Sequence, residues 1–371
     1  MKESKLRVAI ISAGMITNAA HIPAYQNLKD RAELVAVCDL NPVSAEGTAQ
    51  RHGIPHWYTD AETMLQECKP DLVSVCTPNA SHKAMAMLAL EHGCHVACEK
   101  PLALTYRDTQ ELFDFAREKG RVLIACQTLR YNDEYQFARE MAKEGRLGEI
   151  YYSEFSILRR RGIPKWGTFH RMDANGGGCL CDLGVHMIDA ALWVMGGPKF
   201  QAISGASFAY FGNSETDIVT SLKESGAPKG VHNARPYSPE EFEVEEFAAG
   251  TIRLENGSQM NFKTSWAVNL PDEYSMRFAG SKAGLALPKM EMYSTFGRYQ
   301  ADILPRVFHE RKYEGLDFSG HYYLMEELFD HLQNGAPLPI KPEETLNVAK
   351  IIDAFYLSAR NGREVTAQEV V

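Results

Sequence analysis

The segment RVAIISAGMIT, residues 7–17, decides the fold: an apolar run closes at Ile11, a turn centres on Gly14, and a helical pattern follows. An apolar strand entering a glycine turn and then a helix is how a parallel strand hands over to a covering helix. The six residues Ser12-Ala13-Gly14-Met15-Ile16-Thr17 stand where a dinucleotide-binding fold carries G-x-G-x-x-G, and only the middle glycine is present. That glycine lets backbone amides approach a pyrophosphate, while the helix start adds the positive end of its dipole. The rival reading is an ordinary strand-to-helix turn that needs one glycine.

Working outward, apolar runs recur at 34–38, 72–76, 96–98 and 122–126, with helical patterns from about Pro42 and on to Leu90. This β-α-β-α alternation of apolar strands predicts a doubly wound parallel sheet, a Rossmann domain over residues 1–126. The second run ends at Asp39, where a carboxylate can accept both hydroxyls of an adenosine ribose and repel a 2′-phosphate. No arginine occupies 40–42, so NAD is expected over NADP. Asp39 also reads as a cap for a helix starting at Pro42. The next two loops, Thr77-Pro78-Asn79-Ala80-Ser81-His82 and Glu99-Lys100-Pro101, follow parallel strands at their carboxyl ends, where ligands bind.

Beyond residue 126 the runs lengthen and alternate, at 150–158, 245–254 and 258–267, with Asn256-Gly257 as a hairpin turn. Residues 127–371 are therefore predicted as an α+β domain with a large, mostly antiparallel, open-faced sheet. Helical patterns cover 184–195, 322–333 and 344–358, the last expected to pack back on the first domain, and 213–241 reads as a long polar insertion. With 371 residues, 45% hydrophobic and net charge −9, the chain suits small molecules rather than nucleic acid or an anionic membrane surface. No apolar run approaches the roughly 18 residues of a membrane span, and cytoplasmic residence is expected. The eight cysteines lack CxxC pairing and read as reduced core thiols; Cys179-x-Cys181 alone is a poor metal site, and no metal is expected.

Thr77-Pro78-Asn79 with His82, Glu99-Lys100-Pro101, His21-Ile22-Pro23-Ala24, Arg130-Tyr131, and Gly177-Gly178 followed by Asp182-x-x-x-His186 together resemble the Gfo/Idh/MocA oxidoreductases over nearly the whole chain. The phosphate loop departs from the family pattern at Ser12 and Thr17. The resemblance implies a cofactor site of Ser12, Gly14, Met15, Ile16, Asp39, Thr77, Pro78, Asn79, His82, Glu99 and Lys100, with a cis Lys100-Pro101 bond. It also implies that Lys100 hydrogen-bonds the reacting oxygen beside the nicotinamide, that His186 is the acid/base, and that Asp182 binds substrate or orients that pair. Arg130 and Tyr131 fall on the substrate side. The implied activity moves hydride at a secondary alcohol of a sugar or cyclic polyol, in a homodimer or homotetramer joined through the second sheet. A redox-neutral glycosidase or lyase that holds NAD and oxidises transiently begins with the same step. A non-catalytic NAD or sugar sensor is expected to lack the lysine or histidine, and both are present.

The residue types fit that chemistry, because alcohol oxidation needs a proton acceptor and charge stabilisation on oxygen. If 182–186 is helical, the spacing puts Asp182 and His186 on one face. The same pair also reads as a cap with a core histidine or as two metal ligands, and Lys100 alone reads as a solvated surface lysine. Arg159-Arg160-Arg161 with Trp166, Phe169, His170 and Arg171 reads as a solvated face, or as a substrate wall in which Trp166 covers a sugar ring.

Overall fold

Strands that are apolar throughout need cover on both faces, and the computed structural model, which describes residues 5–214, 237–306 and 318–371, builds them into a parallel sheet. Its strands are β1 (Leu6–Ile11), β2 (Ala32–Cys38), β3 (His56–Tyr58), β4 (Leu72–Val75), β5 (His95–Cys98) and β6 (Leu123–Ala125), in the order β3-β2-β1-β4-β5-β6. Chain direction around the sheet reverses between β1 and β4, which opens a crevice at their carboxyl ends. The edge strand β3 has only three residues, two of them exposed, so no apolar run announces it. The covering helices are α1 (Ile22–Asn27), α2 (Pro42–His52), α3 (Ala61–Cys68), α4 (Asn79–Glu91) and α5 (Tyr106–Glu118). Asn41, not Asp39, caps α2: its Oδ1 accepts the Val43 N–H at 2.9 Å, which leaves Asp39 for other work.

After α6 (Asp133–Lys143) come β7 (Ile150–Leu158), α7 (Met172–Asn175), α8 (Val185–Val194), β8 (Phe200–Phe208), β9 (Phe247–Leu254), β10 (Gln259–Ser265), β11 (Glu273–Gly280), β12 (Ala283–Leu287), β13 (Glu291–Phe296) and β14 (Tyr299–Ile303). With β15 (Val365–Thr366) they form a nine-stranded sheet, β14-β13-β12-β11-β7-β10-β9-β8-β15. All its pairings are antiparallel except β7 with β10. The helical run Met172–Val194 is long and apolar enough to cross a membrane by length and composition, but 83% of its apolar window is buried, as a core helix under this sheet. The polar insertion predicted at 213–241 lies largely outside the described residues.

Two closing helices tie the halves together. α9 (Ser319–Asn334) sends Tyr322, Leu328 and Phe329 into the core under β1, against Tyr25 and Ile22 of α1. Truncating a fully buried residue such as Phe329 to alanine costs about 3–5 kcal/mol. α10 (Pro342–Asn361) buries Ile351 and Phe355 beneath the second sheet and turns Asp353 toward α5, where its carboxylate accepts the Tyr106 N–H at 2.8 Å.

Candidate active site

The cofactor end is built on the turn after β1. Ser12 stands where a glycine is usual, and it takes φ +89°, a conformation that side chains disfavour. Thr17 replaces the last glycine of the pattern, and its hydroxyl donates back to the Ser12 carbonyl at 2.8 Å, closing the turn with a side chain. The chain then enters a π-helical turn, Thr17–His21, instead of an α-helix. A Cβ on Gly14 would meet only Ser12 Oγ, at 3.5 Å, so the backbone there faces open space. Asp39 braces the same loop: Oδ2 accepts the Ala13 N–H at 2.7 Å and Oδ1 the Asn41 N–H at 2.9 Å. A carboxylate offers about four acceptor positions, which leaves room for ribose hydroxyls.

Ser12, Gly14, Met15, Ile16, Thr77, Pro78, Asn79, His82, Glu99 and Lys100 all line one cavity of about 260 Å³ at the strand ends, together with Trp166. Within it the Thr77 hydroxyl is buried without a partner among the described residues, a group that a bound ligand would satisfy. These residues fit a dinucleotide: an acid at the ribose position, an open glycine at the phosphate turn, and an orphan hydroxyl further along. Two predicted contacts work differently. Both His82 ring nitrogens lie against backbone carbonyls, of Thr77 at 2.8 Å and Pro101 at 2.7 Å, so the ring sits between two loops rather than offering a free group. Glu99 spends one carboxylate oxygen on two imidazoles, His21 Nε2 at 2.9 Å and His321 Nε2 at 2.8 Å. Asn79 bridges to the other half by donating to the Asn175 carbonyl at 3.0 Å.

The adjoining cavity, about 380 Å³, holds the reactive groups. The Lys100-Pro101 bond is cis. Lys100 Nζ donates to the Asp182 carbonyl at 3.0 Å and sits 3.4 Å from Asp182 Oδ1. Asp182 Oδ2 accepts the indole N–H of the fully buried Trp266 at 3.0 Å. Burial pushes the Asp182 carboxyl up, but Lys100, Arg159 and the Trp266 bond outweigh it and hold the group below its usual range. His186 is driven the other way: burial first, then Lys100, push its imidazole down to about 3, so the ring is neutral at physiological pH. Its Nδ1 is buried without a partner among the described residues.

Asp182 and His186 do reach one cavity, although not on a continuous α-helix. Leu180–Gly184 is a second π-helical turn, and α8 begins only at Val185. Glu245 holds that turn, its carboxylate accepting the Gly178 and Leu180 N–H groups at 2.9 and 3.0 Å. A Cβ on Gly178 would lie 1.9 Å from the Glu245 carbonyl oxygen, so the close approach requires glycine. π turns concentrate at functional sites, and the two among the described residues adjoin or line the crevice, beside Ile16 and at Asp182 and Leu183.

Trp166, Phe169 and Arg159 line the same cavity, with the Trp166 and Phe169 rings edge-to-face at 4.6 Å. Of the arginine run, Arg161 instead folds back over the Phe211 ring, 4.9 Å from its centroid. Arg130 and Tyr131, expected on the substrate side, line neither of these two cavities. Arg130, 3% exposed, clamps Asp189 through Nε and Nη2 at 2.7 and 2.6 Å and donates to Glu344 at 2.8 Å. The Tyr131 hydroxyl donates to Glu327 at 2.7 Å. A 3₁₀ turn over Thr128–Tyr131 aims both at partners on α8, α9 and α10 that are distant in sequence. Sequence reasoning missed Trp266, Tyr274 and His321; only a lone histidine two residues into a helix could have hinted at the last. Among the described residues, His21, Glu99 and Cys126 bring potential metal-ligand atoms within 4.8 Å of one another, but the first two are already paired to each other.

Both halves of the chain resemble known proteins. The family model described as "Oxidoreductase family, NAD-binding Rossmann fold" matches residues 6–126, and the "GFO/IDH/MocA C-terminal domain" matches 135–286. A D-glucoside 3-dehydrogenase of Escherichia coli (strain K12) is 35% identical over 367 residues, 98% of each chain. Among solved structures, levoglucosan dehydrogenase in complex with NADH and levoglucosan superposes with a TM-score of 0.80 at 20% identity, covering 98% of this chain and 100% of the other. The aldose-aldose oxidoreductase of Caulobacter crescentus complexed with glycerol gives 0.78 at 21% identity, with 98% and 100% covered. At these identities the structures speak for the fold alone.

Proposed function

The chain belongs to the Gfo/Idh/MocA family of NAD-binding oxidoreductases, and from that premise we propose that it oxidises a secondary alcohol of a sugar, the 3-hydroxyl of a glucoside being the first candidate. One observation carries the reading: Lys100 after β5 meets Asp182 and His186 from the second half in a cavity that Trp166 and Phe169 also line. Ser12, Gly14, Thr77 and Asn79, with Asp39 beside them, would hold NAD, which would supply the hydride acceptor. The chain's own groups handle the oxygen and its proton. Lys100 Nζ, anchored on the Asp182 carbonyl, keeps N–H groups to donate to the alcohol oxygen and stabilises charge developing there. His186 is present as the free base, the form that accepts the hydroxyl proton. Negative charge growing on the oxygen raises the ring's basicity at that moment, and the low value afterwards favours release of the proton.

The Asp39 carboxylate favours NAD over NADP by the repulsion argued above. Strands of the second sheet expose Tyr151, Tyr293, Phe296 and Tyr299, the last two by 60% and 63%, and we assign them to a homodimer or homotetramer contact. Eight buried free thiols fit a reducing compartment, the cytoplasm. We take residues 1–126 and 127–371 as the two domains, with α9 of the second packing into the core of the first.

The test is incubation of purified protein with NAD and a panel of glycosides. Sustained NADH formation supports the dehydrogenase. Glycoside cleavage without NADH accumulation supports the redox-neutral alternative, and NAD binding with neither reaction leaves a sensor.

A further inference from the structure

We propose, building on the functional reading above, that His321 is a specificity-determining residue whose Nδ1 accepts a hydrogen bond from a substrate hydroxyl next to the carbon being oxidised. His321 is the third residue of α9 and lines the same cavity as Lys100, Asp182 and His186, although 222 residues separate it from Glu99. Its position is tightly set. A Cβ on the preceding Gly320 would lie 2.5 Å from the Thr128 carbonyl oxygen, so the helix start packs directly on the turn after β6. The ring is held edge-on against His21, with centroids 5.0 Å apart.

The hydrogen-bond inventory dictates the tautomer. Nε2 of His321 lies 2.8 Å from Glu99 Oε1, and Nε2 of His21 lies 2.9 Å from the same oxygen. Burial pushes the Glu99 carboxyl up, but the two histidines outweigh it and hold it well below its usual range. An ionised carboxylate only accepts, so both Nε2 atoms carry hydrogen. A neutral ring protonated at Nε2 has a bare Nδ1, which is an acceptor and nothing else. That Nδ1 is buried and has no partner among the described residues. A buried acceptor left unmatched is costly, and such an exception in a ligand cavity points to a ligand group that fills it.

An acceptor selects a donor. The reacting oxygen loses its hydrogen on becoming a carbonyl, and it already has Lys100 and His186. A contact that persists from substrate to product is therefore to a flanking hydroxyl, which makes the preferred substrate a vicinal diol. The rival explanation is that His321 merely braces Glu99.

Two substitutions separate these roles. His321→Gln keeps an N–H donor for Glu99 and loses the acceptor; His321→Asn keeps an acceptor near the Nδ1 position and loses the Glu99 contact. The probes are methyl glucoside and its 2-deoxy and 4-deoxy analogues, read as kcat/KM alongside NAD affinity. We expect wild type to discriminate against one analogue by about 10- to 100-fold, the loss that follows when a buried polar group is left unpaired. In His321→Gln the parent sugar falls to the level of that analogue and the ratio approaches one, with NAD affinity unchanged, while His321→Asn retains part of the ratio. Undiminished discrimination in His321→Gln overturns the proposal. So does a wild type that treats both analogues like the parent, which decides the matter even if the variants do not fold. A wild type that binds NAD and oxidises no glycoside refutes the functional reading, and this inference falls with it.

Discussion

Replacing Ser12 by glycine should stabilise the protein, an unusual direction for a change inside a cofactor loop. Ser12 holds φ +89°, and such a conformation costs a residue with a Cβ about 1–2 kcal/mol. Glycine removes that cost but brings extra freedom to the unfolded chain, worth about 0.5–1 kcal/mol in the opposite sense. Little else is lost: Ser12 Oγ lies 3.5 Å from Asp39 Oδ2, too far for a strong bond, and the bond from Thr17 uses the backbone carbonyl. The net gain is about 0.5–1 kcal/mol, or roughly 1 °C in Tm for a chain of this size. Urea unfolding of cofactor-free protein, followed by circular dichroism, measures it against Ser12→Ala, which keeps the backbone cost and should be neutral or worse. A Ser12→Gly variant no more stable than wild type would refute the strain argument.

Other outcomes follow from the site. Lys100→Ala should lower kcat by about 10² or more, and the pH profile should gain an acidic limb, because losing the cation lets the His186 pKa climb from about 3. His186 also links stability to pH: its folded value lies below the ordinary 6.5, so its contribution is complete above about pH 6.5 and is lost as pH falls toward 3, by up to about 5 kcal/mol as an order of magnitude. Burial opposes a charged His21 ring, but Cys76 and Glu99 outweigh it and raise the pKa to about 9; its contribution is complete below pH 6.5 and fades as pH rises through 9. Urea titrations at pH 5, 7 and 9, with His186→Asn as control, read both limbs; an acid limb unchanged in the variant contradicts the assignment. Arg130→Ala should cost about 3–5 kcal/mol, since it leaves Asp189 buried and unpaired, yet substrate KM in whatever protein folds should not move.

Much of this was legible in the sequence because it is local. Apolar runs marked the central strands, and the acid ending β2 and the Glu99-Lys100-Pro101 triplet follow strand ends, whose position in a doubly wound sheet faces ligand. What escaped depends on partners far along the chain. Arg130 reads as a substrate group until Asp189 and Glu344, 59 and 214 residues away, consume its guanidinium. The parallel pairing of β7 with β10 leaves no mark on either strand, because alternation looks the same in both senses. Asp182 and His186 line one cavity, while the π turn that carries Asp182 depends on Glu245, ahead of β9, and Trp266, just after β10. α9 carries a helical pattern, yet nothing in it says which core it joins.

The central claim is that Lys100 and His186 converge on one sugar alcohol as its hydride departs. Deuterium at C3 of a glucoside, followed by NMR of the nicotinamide formed in a single turnover, tests that most directly. The account predicts label at nicotinamide C4 in wild type, formed at least about 10²-fold more slowly in Lys100→Ala and His186→Ala. Unlabelled NADH, or transfer at the wild-type rate in both variants, would contradict it.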